Sequence, residues 1–101
     1  MIMETIIMGI ILNAGNARST AMEALKEAKQ GNFELAEKYI EEATQALGEA
    51  HKSQTALIQG EARGEKSEIS ILLIHAQDHL MTAMTLKDLA GEMVELYKRI
   101  G

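Results

Sequence analysis

Apolar residues recur along this chain with a helical period. In the first third, Ile6, Ile7, Ile10, Ile11, Ala14, Ala17, Ala21 and Leu25 share one face, and Met3 and Met8 widen it. In the second, Phe33, Ala36, Tyr39 or Ile40, Ala43, Leu47 and Ala50 recur at the same spacing, with Glu and Lys opposite. Two breaks interrupt the pattern. At Gln30-Gly31-Asn32, Gly31 can take a left-handed terminal position and Asn32 can cap the next helix. At Gly60 to Ser67, two glycines precede a serine placed to cap a third helix. The pattern predicts helices at about 3–29, 33–60 and 68–99, each on the order of 40–45 Å long at ~1.5 Å per residue. Proline is absent, and Ala, Glu, Lys and Leu are abundant. The expected fold is all-α: one domain over residues 1–101, an antiparallel up-down-up three-helix bundle.

Winding the third helix at about 100° per residue divides it into three sectors. Leu72, Leu73, Ala76, Leu80, Ala83, Met84, Ala90 and Val94 form an apolar stripe for the bundle core. Gln77, Asp88, Glu92, Glu95 and Arg99 form a sector expected to face water. Ile71, Leu86, Leu89, Met93, Leu96 and Ile100 make a second apolar stripe, which a bundle helix has no inward use for. Such a stripe points to self-association through helix 3, unless that helix is central in its own bundle. His75, Asp78, His79 and Thr82 lie inside it at spacings i, i+3, i+4 and i+7.

Charge and composition narrow the chemistry. Ten Lys plus Arg against fifteen Asp plus Glu give a net charge of −5, which argues against a nucleic-acid partner. Without cysteine there is neither disulfide framework nor thiolate metal site, and a cytoplasmic home is expected. The apolar start Met1 to Leu12 carries Glu4 and lacks a basic leader, so it reads as the buried start of a helix, not a signal peptide or membrane insertion. Copies of Asp78 converging on a symmetry axis would repel, and shared protons or a hard divalent cation such as Mg²⁺ would relieve them; a solvated Asp78 beside the seam is the alternative. His75 offers a nucleophilic imidazole, whose tautomer Asp78 or Gln77 could fix. His75 and His79 also resemble half of a zinc site, though no third ligand is evident. His51 reads as a surface residue. Gly9, Asn13, Gly15 and Asn16 in helix 1 suggest that something approaches that backbone closely, most simply another helix.

The run Ile71-Leu72-Leu73-Ile74-His75-Ala76-Gln77-Asp78-His79-Leu80-Met81-Thr82-Ala83 resembles the signature of IIA components of the lactose/cellobiose (chitobiose) class of the sugar phosphotransferase system. Met8 to Ser19, Gly31 to Ala36 and Ala50 to Thr55 are similar to other parts of that family. The resemblance implies a homotrimer of three-helix subunits. It implies that His75 accepts a phosphoryl group from phospho-HPr and passes it to a cysteine of the cognate IIB, with the IIC permease downstream, for uptake of a β-disaccharide (cellobiose, chitobiose or lactose). It implies, too, that Asp78 binds a divalent cation on the three-fold axis. Gln77 and His79 match supporting positions. The motif holds no Arg or Lys, so the partner is expected to supply part of the charge stabilisation; His75 is expected to expose its Nε2, and an apolar rim on helices 1 and 3 to receive the partner. A non-catalytic trimeric adaptor, its polar cluster setting register, is the competing reading.

Overall fold

The computed structural model describes residues 2–101, and among them every regular element is helical: α1 (Ile2–Lys29), α2 (Phe33–Ala62) and α3 (Ile71–Ile100). Met1, the first residue of the apolar start, lies outside the described residues. The rest of that start is only partly covered: Ile7 and Ile10 are buried, while Met8 and Leu12 are exposed. No described helix is long and apolar enough to cross a membrane.

The first turn forms as the sequence suggests on one side and differently on the other. Gly31 takes φ +85°, a conformation that costs a side-chain-bearing residue strain and glycine little. Asn32 occupies the N-cap position of α2, but its side chain bonds backwards, Nδ2 donating to Glu27 Oε1 at 2.9 Å. Asn32 therefore clasps the end of α1 rather than capping α2. The second connection is longer than expected. α2 runs through Gly60 and ends at a turn where Gly64 adopts φ +91°. α3 then begins at Ile71, where Ser70 Oγ accepts from the Leu73 N–H at 3.1 Å. The cap is Ser70, not Ser67. An earlier start would gain little, because Glu68 and Ile69 are exposed and Ser67 is only half-buried.

The core is narrow and rich in alanine. Ile10, Ala14, Ala17 and Ala21 of α1 meet Ala43, Leu47 and Ala50 of α2 and Ala76, Leu80 and Ala83 of α3, all of them buried. Alanine at these positions lets the helix axes approach, and such close packing retains dispersion contacts that a looser seam would lose. A second cluster, Ala24, Ala28, Ala36 and Val94, closes the far end, with Phe33, Tyr39 and Tyr97 against it. α1 packs extensively on both other helices, and α2 and α3 touch each other least. The central helix is thus α1, not α3, so centrality does not explain the second apolar stripe of α3. Of the inward stripe assigned to α3, Ala76, Leu80, Ala83, Ala90 and Val94 are buried, and Leu72 is instead 40% exposed. Contacts between α2 and α3 pair Gln54 with Gln77 and Glu37 with Lys98. In the latter, Lys98 Nζ donates to Glu37 Oε2 at 2.6 Å, and that bond raises the lysine pKa above its usual value.

Candidate functional site

α3 presents a long apolar stripe that nothing in the subunit covers. Ile71 is 86% exposed, Leu89 60% and Ile100 72%, with Ile74, Met93 and Leu96 also exposed along the same side. Leu86, at its edge, is half-buried against α1 and the core. Contiguous exposed apolar surface of this kind commonly marks a contact surface. Towards its C-terminal half the stripe joins α1 in a groove of about 530 Å³, whose walls include Met22, Met81, Leu86, Leu89 and Met93.

His75 and Asp78 sit on this exposed stripe, and both are exposed. Helical winding places Asp78 amid the apolar residues rather than beside them. Among the described residues no group hydrogen-bonds or pairs with its carboxylate, although its backbone oxygen accepts from Thr82 Oγ1 at 2.9 Å. A hard divalent cation takes six or more oxygens. A single Asp78 offers one carboxylate, and the described residues contain no cluster of three His, Asp or Glu placed to hold a metal. The donor chemistry suits such a cation, provided that further Asp78 copies complete the oxygen set.

The His75 ring stacks on that of His79, centroids 5.5 Å apart and planes within 8°. The i, i+4 spacing brings the rings together, and their near-parallel planes are typical of an offset aromatic contact. His79 is half-buried because it leans towards α1, where Gly15 lies beneath it. A Cβ built on Gly15 would stand 3.3 Å from His79 Nε2. The glycine in the middle of α1 therefore has a structural reason: a close approach, to a histidine ring of α3. Gly9 has none among the described residues, since a Cβ there would meet nothing within 4 Å. As a zinc pair, His75 and His79 lack a third ligand among the described residues. His51 is exposed on α2, as expected.

The expected tautomer partners of His75 are engaged elsewhere or idle. Gln77, assigned to the water-facing sector, is half-buried, and its Oε1 accepts from Gln54 Nε2 at 2.6 Å. Gln54, 7% exposed, also approaches Met81 Sδ at 3.4 Å. Sequence reasoning missed this bridge. The signal was there: Gln54 continues the inward series Ala43, Leu47, Ala50, so a polar residue falls in a core position and must find a partner. Replacing Gln54 with Ala should lower stability by about 1–3 kcal/mol, because Gln77 keeps a half-buried acceptor without its donor. Thermal melting at fixed protein concentration checks this, and an unchanged midpoint would mean that water substitutes for the bridge.

Residues 5–98 match the family model described as "PTS system, Lactose/Cellobiose specific IIA subunit". The lichenan-specific phosphotransferase enzyme IIA component of Bacillus subtilis (strain 168) is 56% identical over 98 residues, covering 97% of this chain and 89% of that one. The crystal structure of the PTS cellobiose-specific enzyme IIA from Bacillus anthracis superposes with a TM-score of 0.92 at 60% identity, covering 96% of this chain and 89% of that chain. A solution structure of the IIA(chitobiose)–HPr complex from the N,N'-diacetylchitobiose branch of the Escherichia coli phosphotransferase system matches with a TM-score of 0.83 at 46% identity, covering 96% of this chain and 94% of that chain. With the motif on α3, the three-helix fold and these matches in agreement, the chain belongs to the lactose/cellobiose-specific IIA family of the sugar phosphotransferase system.

Proposed function

We propose that this chain is a cytoplasmic phosphocarrier in which His75 accepts a phosphoryl group from phospho-HPr and gives it to a cysteine of the cognate IIB. The IIC permease then couples that transfer to uptake of a β-disaccharide of the cellobiose, chitobiose or lactose type. The observation that carries the reading is the His75 imidazole: exposed on α3, stacked on His79, and free of hydrogen bonds among the described residues. In the forward step the Nε2 lone pair attacks phosphorus as the donor's bond to phosphorus breaks. In the return step a thiolate attacks, and His75 leaves as imidazole. A phosphoryl group on imidazole nitrogen remains labile, so little beyond positioning and charge stabilisation is needed. α3 has no Arg or Lys before Lys87, and the chain is acidic overall. A helix N-terminus on the docking partner would meet the phosphoryl charge without a cationic side chain from this subunit.

Assembly completes the reading. Three subunits in up-down-up topology, packed through α3, would cover its exposed apolar stripe and bring three Asp78 carboxylates to the axis. Those carboxylates would hold a divalent cation such as Mg²⁺, which when bound neutralises their mutual repulsion. The exposed apolar side chains of α1, Met8 and Leu12, suit a docking rim.

Intact-mass spectrometry of the chain incubated with phosphoenolpyruvate, enzyme I and HPr tests the proposal. One acid-labile phosphoryl group per chain is expected. Absence of any adduct, under conditions that phosphorylate HPr, would favour the non-catalytic trimeric adaptor.

A further inference from the structure

We propose that Gly15 of α1 is a positioning residue for His75, acting through the ring of His79. The proposal rests on His75 being the phosphoryl acceptor. Among the described residues no hydrogen bond fixes the plane of the His75 ring, so the stack on His79 at 5.5 Å and 8° is the contact that orients it. The His79 ring is itself set by the surface behind it, and that is the bare backbone of Gly15. A methyl group there would stand 3.3 Å from His79 Nε2, tighter than an ordinary van der Waals contact, and the ring would have to give by a few tenths of an ångström. Because the two histidine rings are in near-parallel, offset contact, a displacement of the first ring reaches the second. Transfer between a donor and an acceptor nitrogen depends steeply on alignment, and a misplacement of about 1 Å can cost on the order of a hundredfold.

Stability argues against a merely structural purpose for this glycine. In a helix interior glycine is less favourable than alanine by about 1 kcal/mol. Gly9, in the same helix, has no neighbour a Cβ would touch, so close approach is a local property of position 15 and not of α1 as a whole. Residue 15 thus gives up helix propensity where a histidine ring needs the room.

The test compares the unmodified chain with Gly15→Ala, His79→Ala and the double variant, each as the full chain. Phosphoryl transfer from phospho-HPr is measured as kcat and KM separately, alongside thermal melting and ¹H–¹⁵N spectra of the imidazoles. Gly15→Ala should melt at the same or a higher temperature yet lose about three- to tenfold in kcat, with KM little changed and the His75 ring resonances shifted. Adding Gly15→Ala to His79→Ala should cause no further loss, because the methyl group then has space. Unchanged kcat and unshifted His75 resonances in Gly15→Ala would overturn the proposal. So would an equal fractional loss in both backgrounds. Should the unmodified chain accept no phosphoryl group, the acceptor reading fails separately, and unshifted His75 resonances in Gly15→Ala would still overturn the positioning role.

Discussion

Replacing His75 with Ala should abolish phosphoryl acceptance, by on the order of a thousandfold or more, while the chain stays folded and assembled. The size follows from covalent catalysis: the residue that carries the intermediate has no stand-in, and positioning alone cannot replace the lost bond. That the fold should survive follows from the structure. His75 is exposed, its ring makes no hydrogen bond among the described residues, and its side chain is not part of the core. Surface replacements of this kind usually stay within about 0.5 kcal/mol, and alanine is a better helix former than histidine. Intact mass after incubation with phospho-HPr reads the loss, and circular dichroism with sedimentation reads the fold and assembly. The adaptor reading predicts the opposite pattern, with assembly lost. Phosphorylation persisting at the original rate would move the acceptor to another side chain, His79 being adjacent in the stack.

The helices of this protein were legible in its sequence because each buries a regular series of small and branched apolar residues. Ala14, Ala17 and Ala21, or Ala76, Leu80 and Ala83, have no use for their spacing except a helical one. Period alone could not place the positions decided by a partner. Ser67 and Ser70 are equally able to cap, and Ser70 does so where helix before it would bury little, Glu68 and Ile69 being exposed. Gln77 is polar and so reads as facing water, whereas its placement depends on Gln54 across the bundle, which no local pattern reveals. The second stripe of α3 was legible, since an apolar series opposite a core-facing one stands out on a single helix. The centrality of α1 was less so, as it depends on how three amphipathic faces share one core. Of the candidate site, the placement of His75 and Asp78 on the second stripe of α3 was legible from helical spacing. The stack of His75 on His79 and the contact of His79 with Gly15 join α1 to α3, and only the assembled bundle shows them.

In the trimer proposed above, Asp78→Leu should leave assembly through α3 intact or tighten it, lowering the dissociation concentration by about tenfold or more, and should abolish the proposed divalent-cation binding. Two like unit charges about 4 Å apart repel by roughly 4 kcal/mol at an effective dielectric near 20, and three converging carboxylates contain three such pairs. Without a cation or shared protons, that repulsion opposes assembly. A leucine at the same position carries no charge and lengthens an exposed apolar surface that already includes Ile71, Ile74 and Leu89. Apolar area removed from water contributes about 25 cal/mol per Å², and charged groups replaced by well-packed apolar ones are often neutral or stabilising. Among the described residues none bonds to the Asp78 carboxylate, so its removal leaves no partner unsatisfied there. Sedimentation equilibrium with and without a chelator separates the contributions. The unmodified chain should dissociate more readily when the cation is stripped, and Asp78→Leu should ignore the chelator. If Asp78→Leu instead fell apart into monomers, Asp78 would be a contact that the assembly needs rather than a repulsion that a cation relieves.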